Sequence, residues 1–382
     1  MKNLLPRTAG LFLVVLVVSC QQPATSTGTQ TQVLDSAAFS IALSNGSVYV
    51  GGEFWTGTQW ESCYWVDGQL VDTYGTAALS ISVSKGTVYA GGQAGGIPCY
   101  WVSTSLYTLD GASYADGITG EVRSIDASGA SVKSVGIDHA AVNQHTYYPW
   151  EATIWTQTSP SGLSPTVPGS ANSICDYAGT YYVAGQFFDG TNSVWLPYVW
   201  NSANQTTTTL PGGLGTAYSI YVDGSGIYAC GQIFDGKWWK PCYWTNTTMT
   251  RLAGTGNQNA SANSVTVDSG TVYTAGDWYD GTNWNPCYWA GTARTDLPGS
   301  SPDTFVSSVA VINGTVYCAG YYYDGSKYVA CYWAGANRND LPGITVTTTK
   351  GAKGLSVARP KPFNGESAGF HDGGAGGSRR AR

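Results

Sequence analysis

The chain has 382 residues, 42% hydrophobic and 13% aromatic but only 11% charged, with 50 glycines among them. That balance, rich in Tyr, Trp, Thr and Val, belongs to a β-rich globular protein and excludes a disordered or mainly helical one. Residues 21–343 hold nine Lys/Arg against 22 Asp/Glu. An acidic body of this kind excludes a nucleic-acid binder, which needs basic surface to displace counterions.

In chain order, Lys2 and Arg7 precede an unbroken apolar run over 11–18. The run is too short to span a bilayer and suits the core of a secretory signal. It ends in Val17-Val18-Ser19-Cys20, which resembles the bacterial lipobox. The resemblance implies cleavage before Cys20 and a diacylglycerol on its sulfur, with residues 1–19 as signal peptide. It also implies a place in the bacterial cell envelope, lipid-anchored and either periplasmic or on the cell surface. Residues 20–32, from the lipidated cysteine through a Thr/Ser/Gly/Gln-rich stretch, read as a flexible tether.

From residue 33 to residue 349 a repeat governs the sequence. A Ser-Ile or Ser-Val-type pair opens seven copies at Ser40, Ser80, Ser124, Ser173, Ser219, Ser264 and Ser308, at spacings of 40 to 49 residues. Ala or Val stands two positions before each serine, and a tryptophan closes the third strand of each copy, from Trp65 to Trp333. A period in the forties with four strand-like segments per copy predicts an all-β, seven-bladed β-propeller of four-stranded antiparallel blades. In the sixth copy the predicted strands are 264–267, 271–279, 283–289 and 294–297, with Asp280-Gly281 as a two-residue hairpin turn. Either Val33-Leu34 or Ile344-Thr345-Val346 would latch the ring. Ser356-Val357-Ala358 echoes Ser308-Val309-Ala310, as an eight-bladed parent would. Residues 350–382 then run out as a basic, low-complexity tail, read as disordered.

The string Asn313-Gly-Thr-Val-Tyr-Cys-Ala-Gly, with Asp324-Gly325 beyond it, resembles kelch-type blades. The adjacent pair Tyr288-Trp289 replaces the spaced Tyr and Trp of kelch. The repeats are more similar to those of bacterial exported lipoproteins with Cys-Tyr-Trp and Leu-Pro-Gly motifs. Neither resemblance brings catalytic residues.

Cys63, Cys99, Cys242, Cys287 and Cys331 share one third-strand position in separate copies and read as small buried residues, too far apart for disulfides. Cys318 and Cys331 would face each other if Asp324-Gly325 is a two-residue turn, whereas a longer turn breaks that register. No Cys-x-x-Cys motif supports a zinc or redox site, and no cofactor is implied. The serine and tryptophan rings recur in all copies and read as what every blade needs for packing.

The hairpins between second and third strands carry the candidate ligand contacts. Three positions per copy are expected on one face near the tip. The first follows the strand's glycine: Glu53, Gln186, Gln232, Asp277 and Tyr321. The others are aromatic: Trp55 with Trp60, Phe188 with Trp195, Phe234 with Trp239, Tyr279 with Trp284, and Tyr323 with Tyr328. Flat aromatics beside polar groups suit sugar rings, and packing between blades would give the same pattern. Copy two has a clipped hairpin, and copy three an extended one holding His139, His145 and Trp150. Its His-x5-His spacing is not diagnostic of a metal. Asp138 with Glu151, or Asp110 with Asp116, are the local carboxylate pairs a glycosidase would need. The expectation is a membrane-anchored, non-enzymatic binding or scaffold protein for glycans or envelope proteins. A carbohydrate-active enzyme and a purely structural envelope protein are the alternatives.

Overall fold

A computed structural model describes residues 29–109, 120–128, 131–138, 151–163, 167–298 and 303–349. Cys20, Asp110, Asp116, His139, His145, Trp150 and the echo at 356–358 lie outside the described residues. Seven antiparallel sheets of four strands follow one another over 36–72, 77–108, 120–162, 169–209, 215–251, 260–296 and 304–340, each with its strands in chain order. This is the expected seven-bladed propeller.

In the sixth blade the strands are Ala260–Asp268, Thr271–Tyr279, Trp284–Ala290 and Ala293–Asp296. The inner strand therefore starts four residues before the serine that marks it. Between Ala262 and Ser264 its register shifts by a bulge, and the same shift occurs between the Ala or Val mark and the serine in all seven blades. The bulge brings the inner backbone against the second strand. A Cβ on Gly276 would meet the Ser261 carbonyl at 2.0 Å, and one on Gly320 would meet that of Phe305 at 2.0 Å. The repeated second-strand glycine is thus a requirement of the bulge opposite it.

The two repeated rings join neighbouring blades. Each marker serine accepts the backbone N–H that follows the marker serine of the next blade: Ser40 from Ile81, Ser80 from Ile125, Ser124 from Ile174, Ser173 from Ile220, Ser219 from Val265 and Ser264 from Val309, at 3.1–3.2 Å. Ser308 completes the circle by accepting from Ile41 at 3.3 Å. Several of these serines line an axial channel with a cavity volume of about 510 Å³. Farther out, the indole N–H of Trp65, Trp244, Trp289 and Trp333 donates to the Pro342, Pro211, Ala253 and Pro298 carbonyls at the end of the preceding blade, at 2.8–2.9 Å. All four indoles are fully buried, and so the Trp and the residue after the last Leu of the preceding blade, Pro in three cases and Ala253 in the fourth, are two halves of one contact.

Ring closure uses both candidate latches at once. Thr29–Val33 pairs with Thr345–Thr349 as a separate two-stranded ribbon, not as a strand added to a blade. The residues read as tether thus overlap this ribbon at 29–32. Blades 7 and 1 meet through Tyr328 N–H on the Asp35 carboxylate at 2.8 Å and Ala330 N–H on the Ser36 hydroxyl at 3.0 Å.

The expected two-residue Asp-Gly turn is corrected. In blades 1, 5, 6 and 7 the hairpin loop has four residues, closed by bonds such as Asp280 N–H to the Asn283 carbonyl at 3.1 Å. The Asp280 carboxylate accepts the N–H of Thr282 at 2.7 Å and of Asn283 at 2.8 Å, which stabilises the wider loop. Register consequently moves by two: Cys318 stands opposite Trp333, and Cys331 opposite Gly320. That excludes the disulfide, and all eight described cysteines are free, seven of them buried. Blade 2 alone turns on two residues, Gly95 and Gly96 at φ +60° and +83°.

Candidate binding rim

Inner strands begin, and second strands end, at one face of the ring, as the pairing of Ala260 with Trp278 shows. The second-to-third-strand hairpins therefore crown the end of the channel where the inner strands start. The wider loop places the five aromatic pairs directly opposite each other in register. Ring centroids are 5.6 Å apart for Trp55–Trp60, 5.5 Å for Phe188–Trp195, 5.3 Å for Phe234–Trp239, 5.6 Å for Tyr279–Trp284 and 5.3 Å for Tyr323–Tyr328, with interplanar angles of 48–58°. Tilted pairs at this spacing are mutually attractive. Trp195 and Tyr328 are buried, and the other eight rings are half-buried.

At blade 7 the aromatics extend inward. Trp284 lies 6.4 Å from Phe305 of the next blade, Phe305 lies 5.4 Å from the fully buried Tyr321, and Tyr321 reaches Phe39 of blade 1 at 6.3 Å. The packing reading therefore holds around Tyr321, whose neighbouring rings fasten blades, while the pair in blade 1 stacks within its own hairpin.

The polar position beside each pair divides similarly. Gln186 is buried and accepts the Thr216 hydroxyl of the next blade. Asp277 is buried, accepting Val306 N–H at 2.7 Å and the Asn263 amide at 2.8 Å. Burial pushes its carboxyl up to about 8 despite those two donors. These two side chains are committed to the joints between blades. Glu53 and Gln232 remain half-buried, and burial raises the Glu53 carboxyl to about 8.

Asp138 and Glu151 stand directly opposite each other at the base of the rebuilt hairpin, both buried. Burial, and then the neighbouring Asp138, push the Glu151 carboxyl upward. Among the described residues no three His, Cys, Asp or Glu side chains gather as a metal site would require.

One set of residues escaped the sequence reading. The bulge inserts a single residue between the two repeated marks: Phe39, Leu79, Arg123, Asn172, Tyr218, Asn263 and Ser307. Each lies one residue nearer the rim than the marker serines, and chemistry changes from blade to blade. Arg123 is ion-paired with Glu121 at 2.8 Å and donates to Asn172 at 2.7 Å, and Asn172 donates to the Ala217 carbonyl at 2.9 Å. The signal was available: a residue that varies from copy to copy between an Ala or Val mark and the repeated serine.

No protein-family model matches the sequence, and a comparison with curated proteins returns no match. Solved structures are similar. The likeness is one of fold. The β-propeller domain of the trilobed protease from Pyrococcus furiosus, described as having an open velcro topology, aligns with 81% of this chain and 96% of its own at 10% identity and a TM-score of 0.50. The acylaminoacyl peptidase of Pyrococcus horikoshii aligns with 80% of this chain at 12% identity and a TM-score of 0.51. The alignment takes in 52% of that chain, so this protein spans about half of it. A Trypanosoma rangeli sialidase mutant aligns with 80% of this chain and 54% of its own at 10% identity and a TM-score of 0.41. The likeness to the two Pyrococcus structures speaks for the propeller and not for any activity.

Proposed function

We propose that the protein is a lipid-anchored, extracytoplasmic β-propeller that works by binding and not by catalysis, with a glycan or an envelope protein as ligand on the hairpin rim. The observation supporting this is the aromatic pair repeated at five hairpin tips, half-buried in most blades. A pyranose offers C–H faces for such rings and hydroxyls for neighbouring polar groups such as Glu53 and Gln232. Several similar sites on one ring would bind a repeating polysaccharide with avidity. The anchor is the lipid that the Cys20 motif implies, which holds the ring in the cell envelope.

A glycan array and an envelope-protein pull-down with the full chain test the reading. Binding that falls in steps as Trp60, Trp239 and Trp284 are changed to Ala in one, two and three blades supports it. Blank results in both would leave the structural alternative. The enzymatic alternative has one feature in its favour, the buried Asp138–Glu151 pair. Polysaccharide cleavage abolished by Glu151→Gln would replace binding with catalysis.

A further inference from the structure

Blade 5 departs from its neighbours in charge at positions where the scaffold is the same. Its hairpin loop is Asp235-Gly-Lys-Trp238, where blades 1, 6 and 7 have Thr56-Gly-Thr-Gln59, Asp280-Gly-Thr-Asn283 and Asp324-Gly-Ser-Lys327. One residue past the aromatic that follows the loop stands Lys240, against Glu61, Asn285 and Val329. On the outer strand Arg251 lies opposite Cys242, whereas Asp72, Asp296 and Asp340 lie opposite the equivalent cysteines. In blades 6 and 7 that Asp is paired with an Arg two residues before it, Arg294 or Arg338. Blade 5 has Met249 there, so Arg251 takes no part in such a pair. From Phe234 to Gln258 the only acid is Asp235, and its Oδ1 already accepts the N–H of Lys237 at 3.0 Å and of Trp238 at 2.8 Å. Three cations confined to one copy do not answer a need of every blade.

Lys240 is half-buried, and its ammonium donates to the Gly256 and Gln258 carbonyls at 2.7 and 3.2 Å, which leaves one of its three N–H donors for a ligand. Arg251 is its diagonal neighbour on the same face of the sheet, roughly 7–8 Å away. The Arg251 side chain is exposed and has no ion pair among the described residues. Lys237 is exposed at the tip, its ammonium 5.2 Å from the centre of the half-buried Trp238 ring. Asp235 is held below the usual carboxylate range, first by its two backbone N–H donors and then by Lys240 and Arg251, so both cations act at the tip.

We propose that the blade 5 tip is the part of the rim that takes an acidic polysaccharide, with Lys237, Lys240 and Arg251 on its carboxylates and Trp238 against a sugar face. This rests on the glycan reading of the rim and adds the charge class of the glycan. A guanidinium meets a carboxylate through two parallel N–H bonds, and Arg251 has that fork unengaged by any acid. The acidic body does not forbid the contact: charges are screened over about 8 Å at physiological ionic strength, so the three local cations decide what a sugar acid meets. A polysaccharide fits better than a nucleic acid duplex or an anionic membrane. Those broad surfaces would also press their phosphates on the neighbouring tips, where Asp280 and Asp324 are exposed.

The full chain is titrated with polygalacturonate and with its methyl ester, which keeps the backbone and removes the charge. Polygalacturonate should bind at least about tenfold more tightly than the ester, and its advantage should shrink as salt rises. Lys237→Gln combined with Arg251→Gln should bring polygalacturonate down to roughly the level of the ester. The same double variant should leave ester binding and the urea midpoint unchanged, because both side chains are exposed. Equal affinity for the two polymers, or a double variant that still binds polygalacturonate as tightly as the parent, overturns the charged subsite, while ester binding keeps the glycan reading. Binding to neither polymer also overturns it, and the glycan array with the Trp60→Ala series then decides the wider reading on its own. Duplex DNA or phosphatidylglycerol vesicles bound as tightly as polygalacturonate would overturn the assignment to a polysaccharide.

Discussion

Ser264→Ala and Ser308→Ala together examine how the ring is held. Ser264 Oγ accepts the N–H of Val309 at 3.1 Å, and Val309 is buried. Removing the hydroxyl leaves that N–H without its acceptor, and an unsatisfied buried donor costs about 1–3 kcal/mol. The lower part of that span applies, because the serine ring borders the channel and water from it offers a substitute partner. A loss of about 1–2 kcal/mol should appear as a lower urea midpoint at unchanged slope. Ser308 differs in place and not in chemistry. Its partner Ile41 lies across the seam between blades 7 and 1, where no inter-blade loop runs and the ribbon, side-chain bonds and apolar packing bridge the gap. Hydrogen exchange should therefore separate the two. Ser264→Ala should deprotect the Val309 amide locally, whereas Ser308→Ala should also deprotect Tyr328 and Ala330, whose amides are held by Asp35 and Ser36 across the same seam. A Ser264→Ala protein with Val309 exchange unchanged and a loss below about 0.3 kcal/mol would refute the account of the serine ring as a hydrogen-bonded belt.

Glu53→Gln should stabilise the protein at alkaline pH. The folded-state carboxyl is raised to about 8 from an ordinary value of 4.5, so its contribution is complete below about 4.5 and is lost as pH rises through 8. Gln stands at the same position in blades 2, 4 and 5, so the variant should gain roughly 1–3 kcal/mol at pH 8 and nothing at pH 4, measured by urea unfolding at both. Trp60→Ala should cost about 1–2 kcal/mol and Trp284→Ala about 2–4, because Trp284 adds a contact to Phe305 of the next blade; equal losses would argue against that joint. In Cys20→Ser protein at pH 8, thiol reagents should leave Cys63, Cys99, Cys242, Cys287, Cys318 and Cys331 unmodified, since burial pushes every one of these thiols up. Labelling before unfolding would contradict the packing described.

The blade count, strand order and ring marks were legible because the same contacts recur from blade to blade. Ser264 must meet the next backbone, Trp289 must meet the Ala253 carbonyl that follows Leu252 of the preceding blade, and Gly276 must clear the bulged strand. The turn length was not legible. Asp-Gly fits a two-residue turn and a wider loop equally well, and the choice depends on whether the Asp280 carboxylate caps Thr282 and Asn283, a local contact that Asp offers in either turn. The parity of the strands survived the error, because a shift of two keeps every side chain on its face. The aromatic pairs were therefore correctly placed, and the disulfide was not.

The same logic locates what repetition cannot explain. A residue present in every blade answers a need of every blade, as the serine and tryptophan rings do. The aromatic pairs are a partial case: absent from the clipped hairpin of blade 2, and consumed by packing around Tyr321 in blade 7. The bulge residues are the opposite case. Their backbone position is held constant by the marks on either side, and yet the side chain runs from Phe39 through Arg123 to Ser307. A bulge frees its residue from the ladder and re-aims it, and the chemistry follows the local joint: Asn172 and Asn263 donate to carbonyls of the next blade, while Phe39 packs on Tyr321. Variation at a position so tightly fixed is what a single, asymmetric ligand would require of a symmetric ring.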